Sequence, residues 1–496
     1  MSFRVSRDGT LSEAKAATSP SGIPFMYNTG DNTTLPSLDS AVPQYIQGTN
    51  STGDHFGRDV AVGNGKIVTG APRYNDPSGI NTINTGIAFI HDLNGNLITS
   101  LTDGDSGDLY GTSVAIGSNK IAIGSPSDDD TAFASGAVYV YDLDGTNKVK
   151  IKASVPVSSE GYGDGALAVG AGKILVGAKS SPGSSSAEGA VYVYDLDGTN
   201  EVKITPSDAA SLTTFGSAGG EFGLSVAVGG DKIIVGAPAV DVRLVRTGGN
   251  NFHAGKAYIY DLDGTNEIMI YPHDLASGNA FGSSVAFGCG QFAVGSPYEG
   301  PPGANNQGAV YTFDLNGNSL KKIKAETPPS ITNPNYWATT TFGSSVAIRS
   351  GRLFVGDKDI FKNVGSPSKY NVGALYVFSL NGAQIATTPS SDFEDGDRFA
   401  AHISVESGRI VAGAKFNDAN GSNAGAAYVL DLDGIQRNKL MASDGAAGDF
   451  FGGSVAVGSG RIVIGASAKN SNTGAIYIYE TPKIKAKHPL DIFNDL

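Results

Sequence analysis

The chain has 496 residues and a formal net charge of −13, with 48 acidic against 35 basic side chains, 68 glycines and a single cysteine. Ahead of Lys483, Lys485 and Lys487 no Lys/Arg run is longer than a pair, which argues against a nucleic-acid groove and its clustered cations. Cys289 alone excludes an intrachain disulfide, and no stretch approaches the 18 or so apolar residues of a membrane span.

Residues 1–41 are rich in Ser, Thr, Pro, Gly and Asn and read as an extended arm. Pro43-Gln44-Tyr45-Ile46-Gln47 follows as an isolated strand. A unit then recurs eight times, opening at Phe56, Tyr110, Tyr162, Phe222, Phe281, Phe342, Phe399 and Phe451; each is followed by Gly except Phe399, which precedes Ala400. Spacings of 52 to 61 residues signal a radial or stacked array of one supersecondary motif.

Each unit predicts four short strands. The first, as in Ser113-Val114-Ala115-Ile116, ends at a Gly, and Lys120-Ile121-Ala122-Ile123-Gly124 follows after the tight turn Ser118-Asn119. The third, Ala137-Val138-Tyr139-Val140-Tyr141, alternates aromatic and β-branched residues with period two. It closes at Asp142-Leu143-Asp144-Gly145, and Val149-Lys150-Ile151-Lys152 runs back. A four-stranded sheet cannot bury both faces alone, so the units pack face to face in a ring: an all-β, eight-bladed propeller of antiparallel blades.

The last unit has no fourth strand of its own, because Glu480-Thr481-Pro482 replaces the usual turn after Tyr479. The segment at Gln44–Gln47 is expected to complete that blade and lock the ring; the rival for the place is Pro482-Lys483-Ile484-Lys485-Ala486. The expected organisation is an arm at 1–41, a propeller at 42–480 and a tail at 481–496.

The aromatic-Gly openings, the strand ends Gly70-Ala71-Pro72, Gly124-Ser125-Pro126, Gly236-Ala237-Pro238 and Gly295-Ser296-Pro297, and the Gly-Ala-Val-Tyr third strands resemble the FG-GAP repeat of integrin-α-like β-propellers, in its prokaryotic and viral variant. The resemblance covers Phe56 to Tyr479 and implies the propeller fold, on which adhesion, assembly and occasionally catalysis are carried. Calcium-binding blades of that family carry an Asp-x-Asp-x-Asp-Gly loop between the first and second strands. Here those hairpins, such as Gly63-Asn64-Gly65 and Gly458-Ser459-Gly460, are too short and too poor in carboxylates, so no calcium is carried over.

Acidic clusters at Asp103–Asp108 and Glu394–Asp397 read as solvated turn loops, and Asp128-Asp129-Asp130 as a charged loop tip. The recurring Asp-Leu-Asp-Gly pairs, Asp142 with Asp144 and Asp261 with Asp263 among them, read as hairpin chemistry. Six histidines form no metal-spaced pair, and no Gly-x-Ser-x-Gly elbow stands out from the repeat's own glycines, so no catalytic residue, metal or cofactor is assigned.

Recognition is expected on the face that collects the second-to-third and fourth-to-first loops, which vary in length. The contact candidates are Arg243, Arg246, Asn250, Phe252 and His253 on one loop and Tyr336 and Trp337, the only Trp, on another. Met1–Asp8 lacks the apolar run of an export signal. The leading expectation is therefore a non-enzymatic structural protein of a tailed-bacteriophage virion, in the tail, baseplate or fibre, present in multiple copies. Arm and tail would contact other virion proteins and the loop face a neighbour or a host surface glycan or protein, with neither nucleic acid nor membrane as partner. The alternatives are a bacterial extracellular or cell-surface adhesion or glycan-binding propeller, and a polysaccharide-active enzyme.

Overall fold

The computed structural model describes residues 43–48, 52–77, 83–182, 188–208, 220–243, 250–251, 253–272, 277–300, 307–325, 340–360, 371–388, 395–406 and 408–481, with strands at 3–5 and 11–13. Residues 1–36 form one unit and 37–496 another. In the first, Phe3–Val5 pairs antiparallel with Leu11–Glu13, so the arm is not wholly extended.

The second unit contains eight four-stranded antiparallel sheets. Blade 1 runs Val60–Gly63, Lys66–Ala71, Ile87–Asp92 and Leu97–Leu101 from the axis outward, and blades 2 to 7 repeat that order. Blade 8 is made of Ser454–Gly458, Arg461–Ala466 and Ala475–Glu480, with Gln44–Gln47 as its outer strand. Tyr45 stands opposite Tyr477 and Ile46 opposite Ile476 in that ladder, and the two tyrosine rings lie 5.3 Å apart. The N-terminal strand thus closes the ring, and the edge that the rival Pro482–Ala486 would pair with is occupied.

Contacts between blades explain the repeated residues. A Cβ built on the penultimate glycine of each second strand, from Gly70 to Gly465, would sit 1.9 to 2.3 Å from a carbonyl oxygen of the next blade's opening turn. Only glycine admits that approach. Each opening aromatic stacks edge-on against its own blade's third strand at 5.0 to 5.4 Å, Tyr110 on Tyr139 and Phe222 on Tyr258 for example. In blade 2 the same residue's backbone bridges to Gly86, ahead of the third strand of blade 1, so one residue joins two sheets.

The acidic clusters are less solvated than the sequence suggests. Asp108 and Asp128 are fully buried, and Asp128 pairs with Lys150 and accepts the Tyr139 hydroxyl at 3.2 Å. Asp103 accepts the Tyr141 hydroxyl and pairs with Lys148, both at 2.5 Å. Asp397 is buried and accepts the side-chain N–H of Asn417 at 2.8 Å. For Asp103 and Asp128 the cause is the third strand: its tyrosine hydroxyls end inside the protein, and a buried hydroxyl needs an acceptor. The Asp-Leu-Asp-Gly pairs do close hairpins: Asp142 takes the Asn147 amide at 2.6 Å, and Asp144 takes the Thr146 backbone N–H at 3.0 Å and hydroxyl at 2.6 Å.

Gly70→Ala will destabilise the propeller by about 3 kcal/mol or more, the upper end of the usual cost of overpacking. Gly65→Ala, at φ +74° in a hairpin with open space around it, will cost about 1–2 kcal/mol of backbone strain. Urea denaturation of both variants measures the difference, and equal costs would refute close blade approach as the constraint.

Candidate functional site

The loop face is where the first strands begin, and one position there varies in a telling way. In five blades the residue before the first strand's leading valine is a serine whose hydroxyl donates to the next blade's backbone: Ser113 to Gly163 O, Ser225 to Gly282 O, Ser284 to Gly343 O, Ser345 to Ala400 O and Ser454 to Gly57 O, all at 2.8 or 2.9 Å. These hydroxyls are committed to holding blades together. The equivalent residue is Ala166 in blade 3, Asp59 in blade 1 and His402 in blade 7. Asp59 keeps the inter-blade link with the roles reversed, accepting the Val114 N–H of blade 2 at 2.8 Å. Burial raises its pKa to about 6 against the lowering effect of that bond and of the Val60 N–H.

Asp59, Arg58 and His402 line a cavity of about 400 Å³ at the mouth of the central channel, together with the serines of blades 4, 5, 6 and 8. A second cavity of about 290 Å³ shares Ser344, Ala401 and His402 with it and is otherwise lined by Lys358, Arg398, Lys415 and Phe416. Lys358 and Lys415 follow the second strands Arg352–Asp357 and Arg409–Ala414 directly, and Arg398 precedes the opening Phe399. Cations from two blades therefore converge on one opening.

Phe416 organises them. The Lys415 ammonium lies 5.0 Å and the Arg398 guanidinium 5.6 Å from the centre of its ring, and Phe450 packs edge-on at 5.6 Å. Arg398 also pairs with Asp359 at 3.4 Å. Among the described residues Lys358, Lys415 and Arg58 have no ion-pair partner. Desolvation first, then the charges of Arg58, Arg398 and Lys358, lower the pKa of Lys415. His402 is exposed at the channel mouth, and desolvation, followed by the charges of Lys415, Lys358 and Arg58, holds its pKa below the ordinary value.

Behind Lys358 lies Asp357, where the other second strands end in Ala or Ser. It is fully buried and accepts the Thr341 backbone N–H at 2.8 Å and hydroxyl at 3.2 Å. Burial raises its pKa to about 7, against the lowering effect of those bonds.

Of the residues expected from the sequence, Arg243, Asn250 and His253 fall within the described backbone. Arg243 is in a two-residue strand, Val242–Arg243, paired with Asn250–Asn251 so that Arg243 stands opposite Asn250. His253 is exposed, and its backbone N–H donates to Asp241 Oδ1 at 2.8 Å. Arg246, Phe252, Tyr336 and Trp337 lie outside the described residues. His253 lines neither of the two cavities. The basic pocket was missed because its cations are spread from Lys358 to Lys415 and form no motif. Two signals were present: Phe399-Ala400-Ala401-His402 breaks the aromatic-Gly-x-Ser pattern, and Asp357 breaks the Gly-Ala strand end.

The FG-GAP repeat family matches residues 98–141, 199–260, 383–430 and 435–479. All four matches start within or just before a fourth strand and end within a third strand, so the sequence repeat straddles the blade boundary. The chain carries FG-GAP repeats on an eight-bladed propeller. No curated protein matches it.

Asp357 supplies a pH test. Its folded-state pKa, about 7, exceeds the ordinary 3.8, so its ionisation opposes folding fully above about pH 7 and not at all below about pH 4. Asp357→Asn removes that term. Urea denaturation will show the variant gaining stability relative to the parent between pH 5 and pH 8, and a difference that does not change with pH would overturn the assignment.

Proposed function

We propose that this chain is a non-enzymatic interaction platform that serves as a structural component of a tailed-bacteriophage virion, in the tail, baseplate or fibre. The observation that carries the platform reading is the division of the ring into two unlike faces. One face is closed by tight two-residue turns such as Asn64-Gly65 and by the Asp-Leu-Asp-Gly hairpins. The other collects the long connections and the channel mouth with its unpaired cations. Variable loops on a rigid scaffold are a general means of recognition, and FG-GAP repeats fit a protein-interaction role. In the virion reading, residues 1–41 and 481–496, which lie outside the ring in sequence, anchor the chain to its neighbours.

A second reading, a bacterial extracellular or cell-surface propeller that binds glycans, draws on the basic pocket, whose charge suits an acidic ligand better than a neutral protein surface.

Cross-linking mass spectrometry on the native source material separates the two. Lys15, Lys483, Lys485 and Lys487 will cross-link to other virion proteins, while Lys358 and Lys415 report on the loop face. Arms that cross-link only within the chain, with no virion protein recovered, would overturn the virion reading in favour of the second.

A further inference from the structure

We propose that the pocket between blades 6 and 7 is a binding site for an oxyanion, a phosphate or sulfate group, held by Lys358, Arg398 and Lys415.

Charge is the first argument. The chain carries −13 overall, so three cations lining one pocket, with Arg58 in the adjoining cavity, run against its composition. The carboxylates nearby do not balance them. Asp359 pairs with Arg398, Asp357 is buried and accepts hydrogen bonds from Thr341, and Asp59 accepts the backbone N–H groups of Val60 and Val114 in blades 1 and 2. Among the described residues the His402 imidazole has no hydrogen-bond partner. Elsewhere in the ring the lysine that directly follows a second strand, Lys179 after Lys173–Ala178, pairs with Asp164 at 3.0 Å. Lys358 and Lys415 lack that arrangement.

Preorganisation is the second. Phe416 holds the Arg398 and Lys415 heads against its ring, and Phe450 fixes Phe416 in turn. A rigid set of donors loses little freedom when an anion arrives, and charge-assisted hydrogen bonds to phosphate or sulfate are the strong kind. At about 30 Å³ per water, a cavity of about 290 Å³ admits one such group with the unit that bears it. An empty pocket of this kind is under like-charge repulsion, which an anion relieves.

The experiment follows thermal unfolding of the full chain in low-millimolar inorganic phosphate, inorganic sulfate, glucose 6-phosphate and glucose 6-sulfate, against sodium chloride of equal ionic strength. A ligand that binds only the folded state raises the melting temperature with its concentration. The parent protein will show a saturable rise with the oxyanions and none with chloride. Lys358→Gln combined with Lys415→Gln will raise the apparent dissociation constant at least about tenfold, the loss expected for charge-assisted contacts. Without added anion that double variant will melt no lower than the parent, because it sheds repulsion. Lys148→Gln, on blade 2, will respond to anions as the parent does. Tighter binding of the sugar esters than of the free ions assigns an ester-borne group, and equal binding assigns the free ion. Identical anion responses in parent and double variant, or no response in the parent, would overturn the site. Arg398→Gln is the second variant should the double variant not fold.

Discussion

Everything in this ring depends on how closely one blade can approach the next. The second strand of each blade presents a glycine to the opening turn of its neighbour, and the carbonyl oxygen there occupies the space a Cβ would need. That single contact sets the spacing of the sheets. Given that spacing, a serine hydroxyl can reach the neighbouring backbone at 2.8 to 2.9 Å, and an opening aromatic can stack on one blade while its backbone bridges to another. A side chain on the glycine would separate both, because close-packed interiors do not absorb an added methyl without displacement. Closure by Gln44–Gln47 extends the same logic: the last blade acquires its outer strand from the start of the chain, so no interface in the ring lacks its partner.

A framework that uniform concentrates individuality in its exceptions. Where serine gives way to Asp59 the inter-blade hydrogen bond survives with donor and acceptor exchanged. At His402 it gives way to an imidazole facing the channel, next to the pocket made by Lys358, Arg398 and Lys415. Blades 6 and 7 depart from the repeat together, at Asp357, at Ala400 and at His402, and the departures cluster around one opening. Scaffold positions that abandon the consensus cost stability, here as a buried carboxylate with a raised pKa and as cations set side by side. Such local costs are commonly tolerated at functional sites.

Burial also reshapes the acidic character of the chain. Many of its carboxylates are not surface charge at all. Asp108, Asp128, Glu160 and Asp397 are enclosed, several of them as acceptors for tyrosine hydroxyls and lysines of the third and fourth strands. A polar framework of this kind lets Tyr139, Tyr141 and Tyr192 end in hydrogen bonds where hydrophobic burial alone would strand their hydroxyls.

The sequence alone determined the number of blades and the strands in each, because alternation with period two and tight-turn residues are local signals and the repeat supplies eight independent readings of them; between Gln44–Gln47 and Pro482–Ala486 as the closing segment, the pairing in the structure decided. The sequence also determined the Asp-Leu-Asp-Gly hairpins, whose hydrogen bonds stay within five residues. Tertiary structure decided the rest. Asp103 and Asp108 sit in a run that reads as an exposed turn, and only the arrival of Tyr139, Tyr141 and Lys150 from the third and fourth strands encloses it. Lys358, Arg398 and Lys415 are unremarked in sequence because each is an ordinary surface-type residue at a strand end. Their meaning comes from two neighbouring blades lining one cavity, a long-range packing outcome that no local pattern encodes.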